Sequence, residues 1–178
     1  TFAPLPGSPI VDAGNSGTCL ATDQRGVMRP QGTACDIGAV EWRGYALTKS
    51  GDNQSTAINT PFAQPLGITF GEAGGVGWPG MTITYTAPVS GASIVAPTMV
   101  TATTDANGQT AITVAANSQG GSYGVTARAS SVGPVTFTLA NLYIITPTAG
   151  ANGAITPSTA QTVNYGSAIT FTIDPKTD

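Results

Sequence analysis

Histidine is absent from this 178-residue chain, and only 8% of its residues carry charge, against roughly 25% in an average soluble domain. Without histidine the commonest general base and the commonest metal ligand are gone. Two cysteines cannot complete a structural zinc site by themselves. Familiar hydrolytic and metal-dependent mechanisms therefore lack their usual parts, and we expect neither an enzyme nor a cofactor. Six Lys/Arg against nine Asp/Glu give a net charge of −3, with no basic cluster for nucleic acid. No apolar run approaches the roughly 18–20 residues that span a bilayer, so no membrane insertion is expected within this segment. The chain starts without an initiator Met, a signal peptide or a basic leader, and we expect it to be an excerpt of a longer protein.

What fills the chain is Gly (23), Pro (13), Thr, Ser and Ala, at an ordinary 40% of hydrophobic residues. Charged disorder does not fit that balance. Apolar and Thr-rich positions alternate instead. Leu66, Ile68 and Phe70 form one such set, and Met81, Ile83 and Tyr85 another. Further on come Ile112 with Val114, Tyr123 with Val125 and Ala127, and Val135 with Phe137 and Leu139. Period two with one apolar face means half-buried strands. Turn signals separate them at Ala73-Gly74-Gly75, Trp78-Pro79-Gly80, Asp105-Ala106-Asn107-Gly108 and Ser118-Gln119-Gly120-Gly121. Asn-Gly supplies the positive φ angles of a tight hairpin. No useful helical period occurs, so the expected fold is an all-β antiparallel sandwich.

The middle segment, 45–141, resembles a bacterial immunoglobulin-like domain of the invasin/intimin type. The resemblance rests on PFAQPLGITF, PGMTITYTAP followed by SGAS, TTDANGQTAITVAAN, GSYGVTA and VTFTLAN. The chain departs from the family's usual Asp and GxPVPG-like turn at Gly71-Glu72-Ala73-Gly74-Gly75-Val76-Gly77-Trp78-Pro79-Gly80. The last segment, 142–178, resembles the opening of a bacterial surface repeat, with Asn164-Tyr165-Gly166-Ser167 leading into Ile169, Phe171 and Ile173. A lone hairpin is marginal in water, so this incomplete repeat is expected to pack on its neighbour or to be loosely held.

Residues 1–44 hold both cysteines and three of the six Lys/Arg. SPIVDAGNSG followed by CLATDQRGVMRPQGTACDIGAVEW resembles the C-terminal end of bacterial parallel β-helix surface proteins. The matching positions include Asp12-Ala13-Gly14, Asp23-Gln24-Arg25-Gly26, Arg29-Pro30 and Cys35-Asp36-Ile37-Gly38-Ala39 with Glu41. The resemblance implies the terminal coils, or cap, of a right-handed solenoid, whose last coil would otherwise expose an apolar core. In that setting Cys19 and Cys35 are expected to form a disulfide that staples a loop in an oxidising, extracellular compartment. A redox pair, a bound cation and free thiols are the other readings of the two cysteines.

Asp12, Asp23, Arg25, Arg29, Asp36 and Glu41 are read as residues that hold the loop's shape, since Asp in turns accepts backbone N–H groups and Arg pairs with carboxylates. Asp12, Asp36 and Glu41 include the residue types of a glycosidase pair, but their spacing argues for no cleft. Asn53-Gln54-Ser55 fits a glycosylation acceptor, a match common by chance. Trp78 is the aromatic expected to be most exposed and a contact candidate, while Tyr123 is expected between the sheets with its hydroxyl on backbone.

Together these readings give a non-catalytic stalk region of a large secreted or cell-surface bacterial protein, adhesin-like, flanked by further domains of the same chain. Two alternatives stand beside it. One is a module that binds a glycan or a cell-surface protein, for which Tyr45, Trp78, Tyr123 and Tyr143 are the aromatic platforms. The other is the accessory end of a β-helical polysaccharide lyase or hydrolase whose active site lies upstream.

Overall fold

A computed structural model describes residues 4, 7–75, 77–129 and 132–176. Among these residues there are strands, turns and bends and no helix. Eleven strands follow one another: β1 (Tyr45–Ser50), β2 (Gln54–Ala57), β3 (Leu66–Glu72), β4 (Thr82–Thr86), β5 (Met99–Thr103), β6 (Gln109–Ile112), β7 (Gly121–Ala129), β8 (Val132–Ile145), β9 (Gly153–Thr156), β10 (Gln161–Val163) and β11 (Thr172–Pro175). The alternating stretches become strands because every second side chain shares one face. Leu66, Ile68 and Phe70 of β3, Ile83 and Tyr85 of β4, Val125 and Ala127 of β7, and Phe137 and Leu139 of β8 are buried together in one core. Each large apolar side chain there stabilises the fold by roughly 1.5–3 kcal/mol.

The core lies between two sheets. One has the order β1-β3-β6, and the other β10-β8-β7-β4-β5, with β2 also pairing β8. All pairings are antiparallel except that of β2 with β8, which is parallel in the register Gln54↔Leu139 to Ala57↔Leu142. The chain thus leaves the first sheet after β1 and joins the second at β2. Asp52 secures the switch. One of its carboxylate oxygens accepts the Thr138 amide at 2.7 Å and the other meets Lys49 Nζ at 2.5 Å. Lys49 also donates to the Thr136 carbonyl.

The Asp105–Gly108 turn differs from the hairpin expected of Asn-Gly. It carries the chain from β5 in one sheet to β6 in the other. One Asp105 carboxylate oxygen accepts the amides of Asn107 and Gln109, and of Asn107 and Gly108 only Gly108 has a positive φ, 74°. Gly108 lies against the Phe70 carbonyl and the Trp78 amide. A side chain there would wedge the turn away from β3.

The segment after residue 141 is continuous with what precedes it. β8 runs through that position to Ile145, and β10 pairs with its last three residues. β9 and β11 form a separate two-stranded sheet on which Ile173 is 71% exposed. Residues 7–44 contain no strand among the described residues. They consist of turns and bends with one isolated bridge, Thr22 to Met28.

Candidate functional site

The turn-rich segment before β1 collects most of the chain's buried charge. Asp23, Asp36 and Glu41 are each 5% exposed or less, a placement that costs stability unless each carboxylate finds donors. They find them in the loop's own backbone. Asp23 Oδ1 accepts the amides of Arg25 and Val27, and Oδ2 accepts the Glu41 amide. Asp36 accepts the amides of Asp12 and Trp42. Glu41 accepts those of Gln31 and Asp36. Asp12, at a φ of 55°, accepts the Ala34 amide. A chain without regular ladders here satisfies its N–H groups with side-chain carboxylates.

The two arginines close what the carboxylates leave open. Arg29 donates to the carbonyls of Asp36 and Gly38, with Glu41 3.7 Å away. Arg25 donates through Nε to Asp23 at 2.9 Å and through Nη2 to the Glu41 carbonyl at 2.7 Å. Cys19 and Cys35 are joined by a disulfide, and Cys35 is fully buried. Burial alone would raise the Asp23 carboxyl, but the Glu41 and Val27 amides and Arg25 outweigh it and hold the group well below the usual carboxylate range.

Arg25 also reaches the sandwich. Its Nη1 donates to Glu72 Oε2 at 2.6 Å and its Nη2 to Oε1 at 3.1 Å, a two-pronged pairing with the last residue of β3. Arg43 Nε stands 3.8 Å from the same carboxylate. Beside this pairing the Tyr45 ring stacks on Phe70 at 5.3 Å and touches Trp42 and Trp78 at 5.4 and 5.0 Å. Burial pushes the Tyr45 hydroxyl up to about 12.

Trp78 is therefore half-buried in an aromatic cluster, where its amide donates to the Phe70 carbonyl. Among the described residues the exposed aromatic is Tyr165, at 70%, with its ring 6.5 Å from Tyr143. The hydroxyl of Tyr123 donates to Asn141 Oδ1, a side chain where backbone was expected. Asn141 is 1% exposed and donates to Ser93 O, Asn117 Oδ1 and Gln119 O.

Glu72 and Asn141 are buried polar side chains on the sandwich that each gather several partners, and neither was singled out from sequence. Both continue an inward period: Leu66, Ile68, Phe70, Glu72 on β3 and Phe137, Leu139, Asn141 on β8. A polar residue in phase with an apolar face is the signal that marks them.

Chemically, the loop's carboxylates are engaged as acceptors, and no group of three or more His, Cys, Asp or Glu is arranged to hold a metal ion among the described residues. An open groove of about 650 Å³ runs beside the disulfide, lined by Thr18, Cys19, Leu20, Thr22, Arg29 and Gly38. Leu20 in its lining is 79% exposed, and Met28 and Ile37 of the same segment are 67% and 53% exposed. Among the described residues no helix is long and apolar enough to cross a membrane. No protein-family model matches the chain, and no curated protein matches it.

Proposed function

We propose that this chain is a non-catalytic stalk region of a large secreted or cell-surface bacterial protein, with residues 8–42 closing a β-helix and the sandwich serving as an immunoglobulin-like spacer. The observation that carries the reading is the parallel pairing of β2 with β8. Because β2 and β8 run the same way, a chain that passes in along β2 and out along β8 enters the second sheet at one pole and leaves it at the other, which suits modules joined in series. The division of the first strands between the two sheets supports the immunoglobulin-like part of the reading. The exposed Leu20, Met28 and Ile37 support the cap part, because they offer apolar surface to a neighbouring element of the same chain. The disulfide fits an oxidising, extracellular compartment.

A binding module is the second reading, favoured by the exposed Tyr165 beside Tyr143. The two are separated by presenting the full chain to a glycan array and to host-cell surfaces, with and without Tyr165→Ala. Background-level signal throughout is the stalk outcome. Saturable binding that Tyr165→Ala abolishes would replace the stalk with a binding module.

A further inference from the structure

We infer that the cysteine loop and the sandwich are one cooperative unit clasped at Glu72, so that the Cys19–Cys35 disulfide stabilises the sandwich as well as its own loop. Glu72 is the fourth inward residue of β3 and is 8% exposed, in a place where the three before it are Leu66, Ile68 and Phe70. An acid at such a position destabilises the strand unless a cation neutralises it. Among the described residues the sandwich supplies none in an ion pair with it, since both cations on Glu72, Arg25 and Arg43, come from the segment before β1. The strand end is thus completed by the loop.

The turn that follows is shaped for this. The side chain of Glu72 folds back over Gly75, where an added Cβ would stand 2.9 Å from Oε2 and 3.0 Å from the Glu72 Cβ. A Cβ on Gly74, at a φ of 68°, would stand 3.4 Å from Arg43 Nη1. The Glu72-Ala73-Gly74-Gly75 stretch, which departs from the immunoglobulin-like pattern, is the part of the sandwich that receives the loop.

From Glu72 the contacts run without a gap to the disulfide. Arg25 holds the Asp23 carboxylate and the Glu41 carbonyl, Glu41 holds the Asp36 amide, and Asp36 follows Cys35. Tyr45 adds an apolar seam between Trp42 and the core residue Phe70. Two sites linked in this way are expected to show a coupling energy, whereas independent sites add. The inference holds whether or not the chain is a stalk.

The test is a double-mutant cycle on the full chain, combining Glu72→Gln with Cys19→Ser/Cys35→Ser. Urea unfolding is followed by fluorescence of Trp42 and Trp78, which lie in the seam and in the sandwich. Native-state amide exchange is read at Asp36 and Glu41. One cooperative unit predicts a single transition, a lower midpoint on removal of the disulfide, and non-additive effects in the double variant. It also predicts exchange at least about tenfold faster at both loop amides in Glu72→Gln. Two separate transitions, additive effects or unchanged loop exchange would overturn it. Should Glu72→Gln fail to fold, Arg25→Lys is read by the same criteria, because lysine keeps the charge and loses the two-pronged geometry.

Discussion

Tyr123 of β7 and Asn141 of β8 are diagonal neighbours, two positions apart in register, with the phenol donating to Asn141 Oδ1 at 3.0 Å. The Asn141 amide nitrogen in turn gathers the loop carbonyls of Ser93 and Gln119. Removing Asn141 strands several buried groups, whereas removing the Tyr123 hydroxyl strands one. Asn141→Leu is expected to cost about 3 kcal/mol and Tyr123→Phe about 1 kcal/mol, from the penalty for buried groups left unpaired. Urea midpoints of the two variants check the ranking.

Tyr85 presents the opposite case. It is 1% exposed, and its hydroxyl has no hydrogen-bond partner among the described residues. Burial pushes that hydroxyl up to about 12. Tyr85→Phe keeps the ring that packs 6.3 Å from Phe137 and removes a desolvated polar atom. The variant is expected to be as stable as the parent or up to about 1 kcal/mol more so, read from the melting temperature. A loss of 2 kcal/mol or more, in the roughly 1–3 kcal/mol range of a broken buried bond, would show that the hydroxyl is paired in solution.

The strand switch gives a third expectation. Asp52 is held below its ordinary value by Lys49, the first cause, and by the Thr138 amide. Asp52→Asn keeps one acceptor for that amide and loses the charge facing Lys49. Both side chains are partly exposed, so the expected loss is no more than about 1 kcal/mol. It should shrink further in high salt.

The pH profile follows from the same shifts. Asp23 and Asp52 titrate lower in the folded chain than their ordinary 3.8. Their stabilisation is therefore complete above that value and is lost as pH falls below it. Tyr45, Tyr85 and Tyr123 are pushed up to about 12 from 10.0. Folding holds each of these phenols neutral, so they leave stability unchanged with pH below pH 10 and lower it as pH rises toward 12. No histidine titrates between. Melting temperatures should form a plateau from about pH 5 to 9 with a fall on either side, and a step near pH 6–7 would contradict this assignment.

The period-two stretches were legible in sequence because core-facing residues such as Leu66, Ile83, Val125 and Phe137 are spaced by the pleat alone. β1, β2 and β5 were not singled out. β1 and β5 have no fully buried residue, and Gln54-Ser55-Thr56-Ala57 owes its place to pairing with β8 rather than to its own pattern. The loop's carboxylates were recognisable as turn residues, yet Glu72 was not found with them. Its partner Arg25 lies 47 positions earlier, and local spacing carries no trace of such a pairing.

The parallel run of β2 beside β8 has a mechanical side. If the two ends of the sandwich are drawn apart along the chain, β2 and β8 are pulled in opposite senses along their length. Their four-residue ladder, Gln54↔Leu139 to Ala57↔Leu142, is then loaded in shear, and its bonds share the tension instead of opening one by one like a zip. Lys49 and Asp52, which grip Thr136 and Thr138 just before that ladder begins, stand where the load first enters the second sheet.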